Sequence, residues 1–348
     1  MNSAGNRILC ISFVLLFLFA AVCTVSGNTN DDQLATLNVG TVMVPPVPAA
    51  ANLTPHDPIQ IFSHDDFVLN GFSGSGTSVD PFVLSGYEFT TTKDGSSIYI
   101  ASTTDYFVIR NCSFYGVFAT EGALLLSGVS NGRIENCSFD MAGIGIVIKG
   151  SDGVRLEDLY MHSSVLMIQT SSYIHVSDSF ITGVPGDGVS IETSDNVVVF
   201  NCTITESAAN GVYLRQALYC TIAENYVISN YDYQIYIDSG SSYNTIYGNW
   251  FVARAGTPTS MVAYDAGSEN QWDDGESRGN YYSDYSGSGI YVVDGSASSV
   301  DRFPWIPGQD TTTDTTTTDN TPAQHTVEEI PLPDALGRGI VAGVILVI

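Results

Sequence analysis

An all-β parallel solenoid is the fold class this sequence predicts, from three observations. A short apolar strand recurs as Ile98-Tyr99-Ile100, Leu124-Leu125-Leu126, Ile146-Val147-Ile148, Leu166-Met167-Ile168, Val189-Ser190-Ile191, Val212-Tyr213-Leu214 and Ile235-Tyr236-Ile237, at a spacing that settles to about 23 residues. A second apolar stretch recurs between copies of the first, anchored by Leu84, Ile109, Ile134, Leu156, Val176, Val199, Ile222 and Ile246. Each anchor is followed five residues later by a large apolar residue: Phe89, Phe114, Phe139, Met161, Ile181, Ile204, Val227 and Phe251.

A repeat this short cannot enclose a core of its own, so successive copies must stack and share one. Within the first strand the outer residues are apolar and the middle one varies, the alternation of a strand with one buried face. The runs are short and rich in β-branched and aromatic residues. Gly95, Gly122, Gly143, Gly188 and Gly211 punctuate them, which argues against helix.

The segments Ile109 to Phe114, Ile134 to Phe139, Val199 to Ile204, Ile222 to Val227 and Ile246 to Phe251 resemble the Ile-x-Asn-Cys-x-Phe and Ile-x-x-Asn-x-Ile rungs of right-handed parallel β-helix proteins. Gly74-Ser75-Gly76-Thr77 with Asp80-Pro81-Phe82-Val83-Leu84 is similar to the opening motif of one group of them. This is the NosD-like, carbohydrate-binding-and-sugar-hydrolase type found in archaeal secreted proteins. Asn270 to Gly275, Arg278 to Tyr285 and Asp301 to Pro304 are similar to that group's closing segment. The resemblance implies a right-handed single-stranded parallel β-helix over 58–308, closed by 270–308. It implies no one function, because the group holds enzymes, binders and accessory proteins.

The ends read differently. Arg7 and the apolar run Ile8 to Val22, closing in small residues near Gly27, have the layout of a secretory signal over 1–27. A Pro- and Ala-rich lead-in occupies 28–57. A Thr/Asp-rich stalk covers 309–334, and the apolar residues of 335–348 read as the start of a C-terminal membrane anchor that breaks off part-way. The expectation is a cell-surface protein tethered through that segment. A net charge of −26 excludes nucleic acid as a natural partner.

Cys112, Cys137 and Cys202 share one slot of the repeat and read as buried free thiols, since in-register neighbours on adjacent rungs fit disulfide geometry poorly. Asn111, Asn136 and Asn201 form sequons only because of that same motif. Asn52, outside the rungs, is the sequon expected to carry a glycan.

Outward positions of a solenoid form ladders, and one of them brings Tyr213 and Tyr236 beside Glu192, Arg215 and Asp238. Rings cover apolar sugar faces and charges bind hydroxyls or uronate groups, so this strip is the candidate glycan-binding surface. Glu192 and Asp238, two rungs or roughly 9.6 Å apart, are also the candidate carboxylates of a glycosidase, with Arg215 between them. A ladder of alternating charge also stabilises a sheet without binding anything. A second strip, Arg133, Arg155 and His175 beside Glu135 and Glu157, is a candidate anion site or a set of ion pairs.

No cofactor is expected. Asp273, Asp274, Glu276 and Asp284 offer oxygens to calcium, without the spacing of a dedicated loop. The resemblance to NosD, which is linked to copper-site assembly, draws attention to Met161, His162, Met167 and His175, of which Met161 reads as core. Three readings therefore stand: a surface protein, glycan-binding or structural, whose partner is a cell-surface or extracellular polysaccharide; a polysaccharide-cleaving hydrolase or lyase; and a NosD-like accessory protein of the cell envelope.

Overall fold

The computed structural model describes residues 53–90, 95–116, 121–256 and 261–306. The expected signal segment, Asn52, the stalk and the anchor lie outside them. Each rung contains three short strands. The stretch with the five-residue echo is two strands, as in Val198–Phe200 and Thr203–Thr205, joined by a sharp corner. The third is the strand with the alternating pattern, as in Val212–Arg215. All rung-to-rung pairings are parallel, for example Val189↔Val212↔Ile235 and Val176↔Val199↔Ile222, and the register slips between Ser138–Lys149 and Tyr160–Gln169.

We call the surface built by Val189–Glu192, Val212–Arg215 and Ile235–Ile237 face 1, that of Val198–Phe200 and its partners face 2, and that of Thr203–Thr205 and its partners face 3. On two rungs, faces 3 and 1 are one continuous strand, Ser138–Lys149 and Tyr160–Gln169.

The corner between faces 2 and 3 explains the Asn of the repeat. Asn111, Asn136, Asp158, Asp178 and Asn201 sit there with φ near +50°, a left-handed conformation that Asn and Asp tolerate better than other side-chain-bearing residues. One residue on, the chain turns inward: Cys112, Cys137 and Cys202 are free and buried. Each Sγ donates to the carbonyl two residues back, that of Arg110, Glu135 or Phe200 respectively, at 3.3 Å. Burial pushes the thiols of Cys202 and of Cys220, also free and buried, up to about 12, so they remain protonated.

The interior is a set of ladders. Ile191, Leu214 and Ile237 have no solvent exposure, and Phe89, Phe114 and Phe139 stack at centroid distances of 5.0 and 4.5 Å. From Cys202 onward the same slot becomes polar. Asn225 Oδ1 accepts from Cys202 N (2.9 Å), Asn249 Oδ1 from Asn225 N (3.0 Å), Asn280 Oδ1 from Asn249 N (3.1 Å) and Asp301 Oδ2 from Asn280 N (2.7 Å).

Both ends are closed. The helix His64–Leu69, capped by Ser63, drives Phe67 onto Phe82 at 4.4 Å. At the other end Trp272 and Tyr282 are fully buried, and the antiparallel strands Tyr291–Val292 and Val300–Asp301 fold over them. Among the described residues no helix is long and apolar enough to cross a membrane.

The closing segment sorts its carboxylates by environment. Arg302 donates to both oxygens of Asp273, the main reason its pKa falls below the usual range. For Asp301 burial outweighs its donors, Asn280 N, Phe303 N and the Tyr282 hydroxyl, and raises the carboxyl to about 6.

Some outward positions are covered. Leu125, Val147 and Ser190 are buried, and Ser190, at 4% exposure, pairs with Met167 on one side and Tyr213 on the other. A small side chain between two long ones is roofed by them. The alternation alone would make Ser190 a tolerant surface position, and the structure corrects that.

Three outcomes follow. Ile191→Asp or Leu214→Asp strands a charge in the shared interior and abolishes cooperative urea unfolding, whereas Arg215→Gln at the rim leaves it in place. Asn249→Ala removes an acceptor and a donor from buried main chain and lowers the unfolding free energy by about 2–4 kcal/mol in the same titration. In a ¹³C-detected pH titration of the folded chain the Asp301 carboxyl has its midpoint near 6, and Asp273 remains ionised below the usual Asp range. Because the folded pKa of Asp301 lies above the unfolded value, its contribution favours the fold at low pH and declines between pH ~4 and ~6, by about 3 kcal/mol.

Candidate functional site

Face 1 carries the outward ladder Met167, Ser190, Tyr213, Tyr236, Tyr264, fixed by parallel pairing of the strands. Met167 and Ser190 precede three successive rings. Tyr213 and Tyr236 meet at 5.5 Å, Tyr236 and Tyr264 stack at 4.7 Å and 9°, and Tyr233 packs beside both at 5.7 and 5.2 Å. All four are half-buried. Burial, ahead of neighbouring carboxylates such as Asp238 beside Tyr213, raises the phenols of Tyr213, Tyr233 and Tyr236, so their hydroxyls stay neutral donors and acceptors.

Tyr264 and Tyr233 extend the expected pair. Tyr264 is hidden in the sequence because the connection before it is longer, which carries it out of the 23-residue spacing. The apolar-polar pattern Val262-Ala263-Tyr264 was the available signal. Tyr233 lies in the connection between faces 3 and 1, where no strand periodicity applies.

The next outward ladder brings Gln169, Glu192 and Arg215 together. Glu192 is held from three sides: by Arg215, by Gln169 Nε2 at 3.4 Å and by Ser190 Oγ at 3.2 Å. Its side chain is only 16% exposed, against 50% for Arg215.

Asp238 does not complete this group. The regular strand stops at Ile237, and Asp238 Oδ1 accepts from Gln216 N (3.0 Å), Gly240 N (3.0 Å) and Ser241 Oγ (2.8 Å). The carboxylate closes a turn. Of the expected trio Glu192, Arg215 and Asp238, the ion pair joins Arg215 to Glu192, while Asp238 Oδ1 serves the turn. What the site offers chemically is a row of ring faces bordered by an arginine with N–H groups to spare.

On face 2 the register places Arg133, Arg155 and His175 in one ladder and Glu135 and Glu157 in the next. Arg133 bonds Glu135 and Glu157, each at 2.8 Å. Arg155 joins no ion pair among the described residues, and burial, with Arg155 next, lowers the pKa of His175. One of the two arginines is thus committed to the sheet.

Metal ligands fare poorly. Asp274 Oδ1 accepts from Glu276 N, Ser277 N and Arg278 N, and Asp284 accepts from the Tyr291 hydroxyl at 3.1 Å, so with Asp273 on Arg302 these carboxylates are directed at different partners. For copper, Met161 is sealed in the core of face 3, Met167 lies on face 1, His175 on face 2, and His162 pairs with Asp140. The thiols are buried. Among the described residues no three His, Cys, Asp or Glu side chains converge, and the donor set does not fit a copper site.

Solved structures similar to this chain include the following three. The A-module of the mannuronan C-5 epimerase AlgE4 of Azotobacter vinelandii is 11% identical, over 63% of this chain and 85% of that one, with a TM-score of 0.28. The periplasmic alginate epimerase AlgG is 13% identical, over 62% and 66%, with a TM-score of 0.31. The pectate lyase Pel9A is 11% identical, over 80% and 75%, with a TM-score of 0.22. Values this low say nothing about activity. No curated protein matches the chain significantly. Residues 74–287 match the family described as periplasmic copper-binding protein (NosD). That span runs from the opening Gly-rich turn through the stacked rungs into the closing segment, and the chain belongs to the NosD family.

Proposed function

We propose that this chain is an exported, membrane-tethered surface β-helix that binds polysaccharide along face 1. The observation that carries the reading is the continuous row Tyr213, Tyr236 and Tyr264, with Tyr233 alongside, beside the Glu192–Arg215 pair. Rings spaced along a rigid ladder present repeated apolar faces to a polymer of repeated sugars. Arg215 adds a donor fork suited to hydroxyls or to a uronate carboxylate. The family description, periplasmic, supports export. The Thr-rich segment and the apolar run that follows it in the sequence support a tether.

On a polysaccharide array Tyr213→Ala, Tyr236→Ala and Tyr264→Ala should each weaken binding by about 1 kcal/mol or more, with the unfolding transition retained. Arg215→Gln should weaken uronate polymers more than neutral ones. Release of new reducing or unsaturated ends that stops in Glu192→Gln would replace this reading with an enzymatic one. No binding across a broad panel would leave face 1 as a stabilising ladder only.

A further inference from the structure

Face 3 holds a second chemical grouping, away from the tyrosine row. Asp140 and His162 are register partners on adjacent rungs, and His162 Nδ1 lies 2.7 Å from Asp140 Oδ1. The other ring nitrogen, Nε2, lies 3.5 Å from Ser163 Oγ. An ionised carboxylate can only accept, so the imidazole proton sits on Nδ1, and Nε2 is left as the acceptor facing the hydroxyl.

Two consecutive residues of a regular strand could not do this, because their side chains point to opposite faces. Here the pairing slips immediately after Asp140↔His162, leaving Ser163 outside the register with φ +51°. Met141 and Ala142 together face this single residue, and its left-handed backbone breaks the alternation that would send its side chain away from His162.

The position is also open. On the three following rungs residues 183–188, 206–211 and 229–234 connect the face 3 strand to the face 1 strand, whereas Ser138–Lys149 and Tyr160–Gln169 run straight through. These two rungs themselves contribute no connecting loop to the corner. On the next rung Thr182 is the register partner of His162, and Gly183 follows it. A Cβ there would come within 3.2 Å of His162 Cδ2, 3.4 Å of Nε2 and 3.7 Å of Ser163 Oγ. Glycine leaves that space for another molecule, and the side chains of His162 and Asp140 remain 43% and 36% exposed.

We propose that Ser163, His162 and Asp140 form an ester-hydrolysing centre, with an acyl ester as substrate and water as co-substrate. Ser163 Oγ bonds the acyl carbon while His162 Nε2 takes the hydroxyl proton. The ester C–O bond breaks, and the departing alcohol oxygen receives that proton. Water then adds to the acyl carbon, giving a proton to Nε2; the carboxylic acid leaves, and Ser163 Oγ recovers the proton. Asp140 is a positioning residue that holds the ring tautomer. The 3.5 Å separation suits a centre that tightens when substrate is bound.

The test treats the purified full chain with a fluorophosphonate probe and, separately, with p-nitrophenyl acetate. The expected result is one covalent adduct, located on Ser163 by peptide mass spectrometry, and ester turnover. Ser163→Ala should abolish both, and His162→Gln should reduce both by about a hundredfold or more. Asp140→Asn should slow labelling, with recovery in Asp140→Glu, a rescue that loss of a merely structural pair would not give. Thermal unfolding confirms that each variant is folded. If Ser163→Ala fails to fold, Ser163→Cys supplies a nucleophile of similar size whose alkylation should depend on His162. An unlabelled Ser163, or turnover unchanged in Ser163→Ala, overturns the proposal.

Discussion

Every rung gives its buried side chains and its strand hydrogen bonds to its neighbours. A rung has no interior of its own, so the inward positions must match from copy to copy in size and polarity, and the backbone must stay in register for that match to hold. The outward side chains inherit the same alignment without being needed for it. Register forced by the core therefore places Tyr213, Tyr236 and Tyr264 in one row, and sets Glu192 against Arg215.

Polar groups inside the solenoid obey the same rule. Asn225, Asn249 and Asn280 each take a main-chain N–H from the preceding rung, and the last N–H of the row falls to Asp301. A buried amide is costly alone and stabilising in a filled ladder, because each member satisfies the next. Where the slot holds Cys112 and Cys137 the same inward position needs only a weak donor, and the sulfur finds a carbonyl of its own corner.

Much of this was legible in the sequence. The recurring Ile-x-Ile strands and the anchors Ile109, Ile134, Val199 and Ile222 mark the solenoid, because burial on one face forces alternation. The division of the second stretch into two strands was less visible, since one left-handed residue, Asn136 or Asn201, makes the corner and does not interrupt the apolar echo. Position along a strand also failed to predict exposure for Ser190, which depends on its neighbours' lengths, and orientation for Asp238, which depends on where the strand ends. Ser163 lies beyond any periodic reading, because its direction comes from a slip between two particular rungs.

The asparagine row has a consequence for how such a molecule can change. Each amide offers its neighbour on one side the acceptor it requires on the other, so a rung could be gained or lost within the row while every remaining donor kept an acceptor. Length is then a variable separate from closure, which Asp301 and the folded-over strands supply only at the end. The solenoid behaves as a ruler graduated in steps of about 4.8 Å. Duplication of a single repeat would add one graduation, together with whatever side chain the copy exposes.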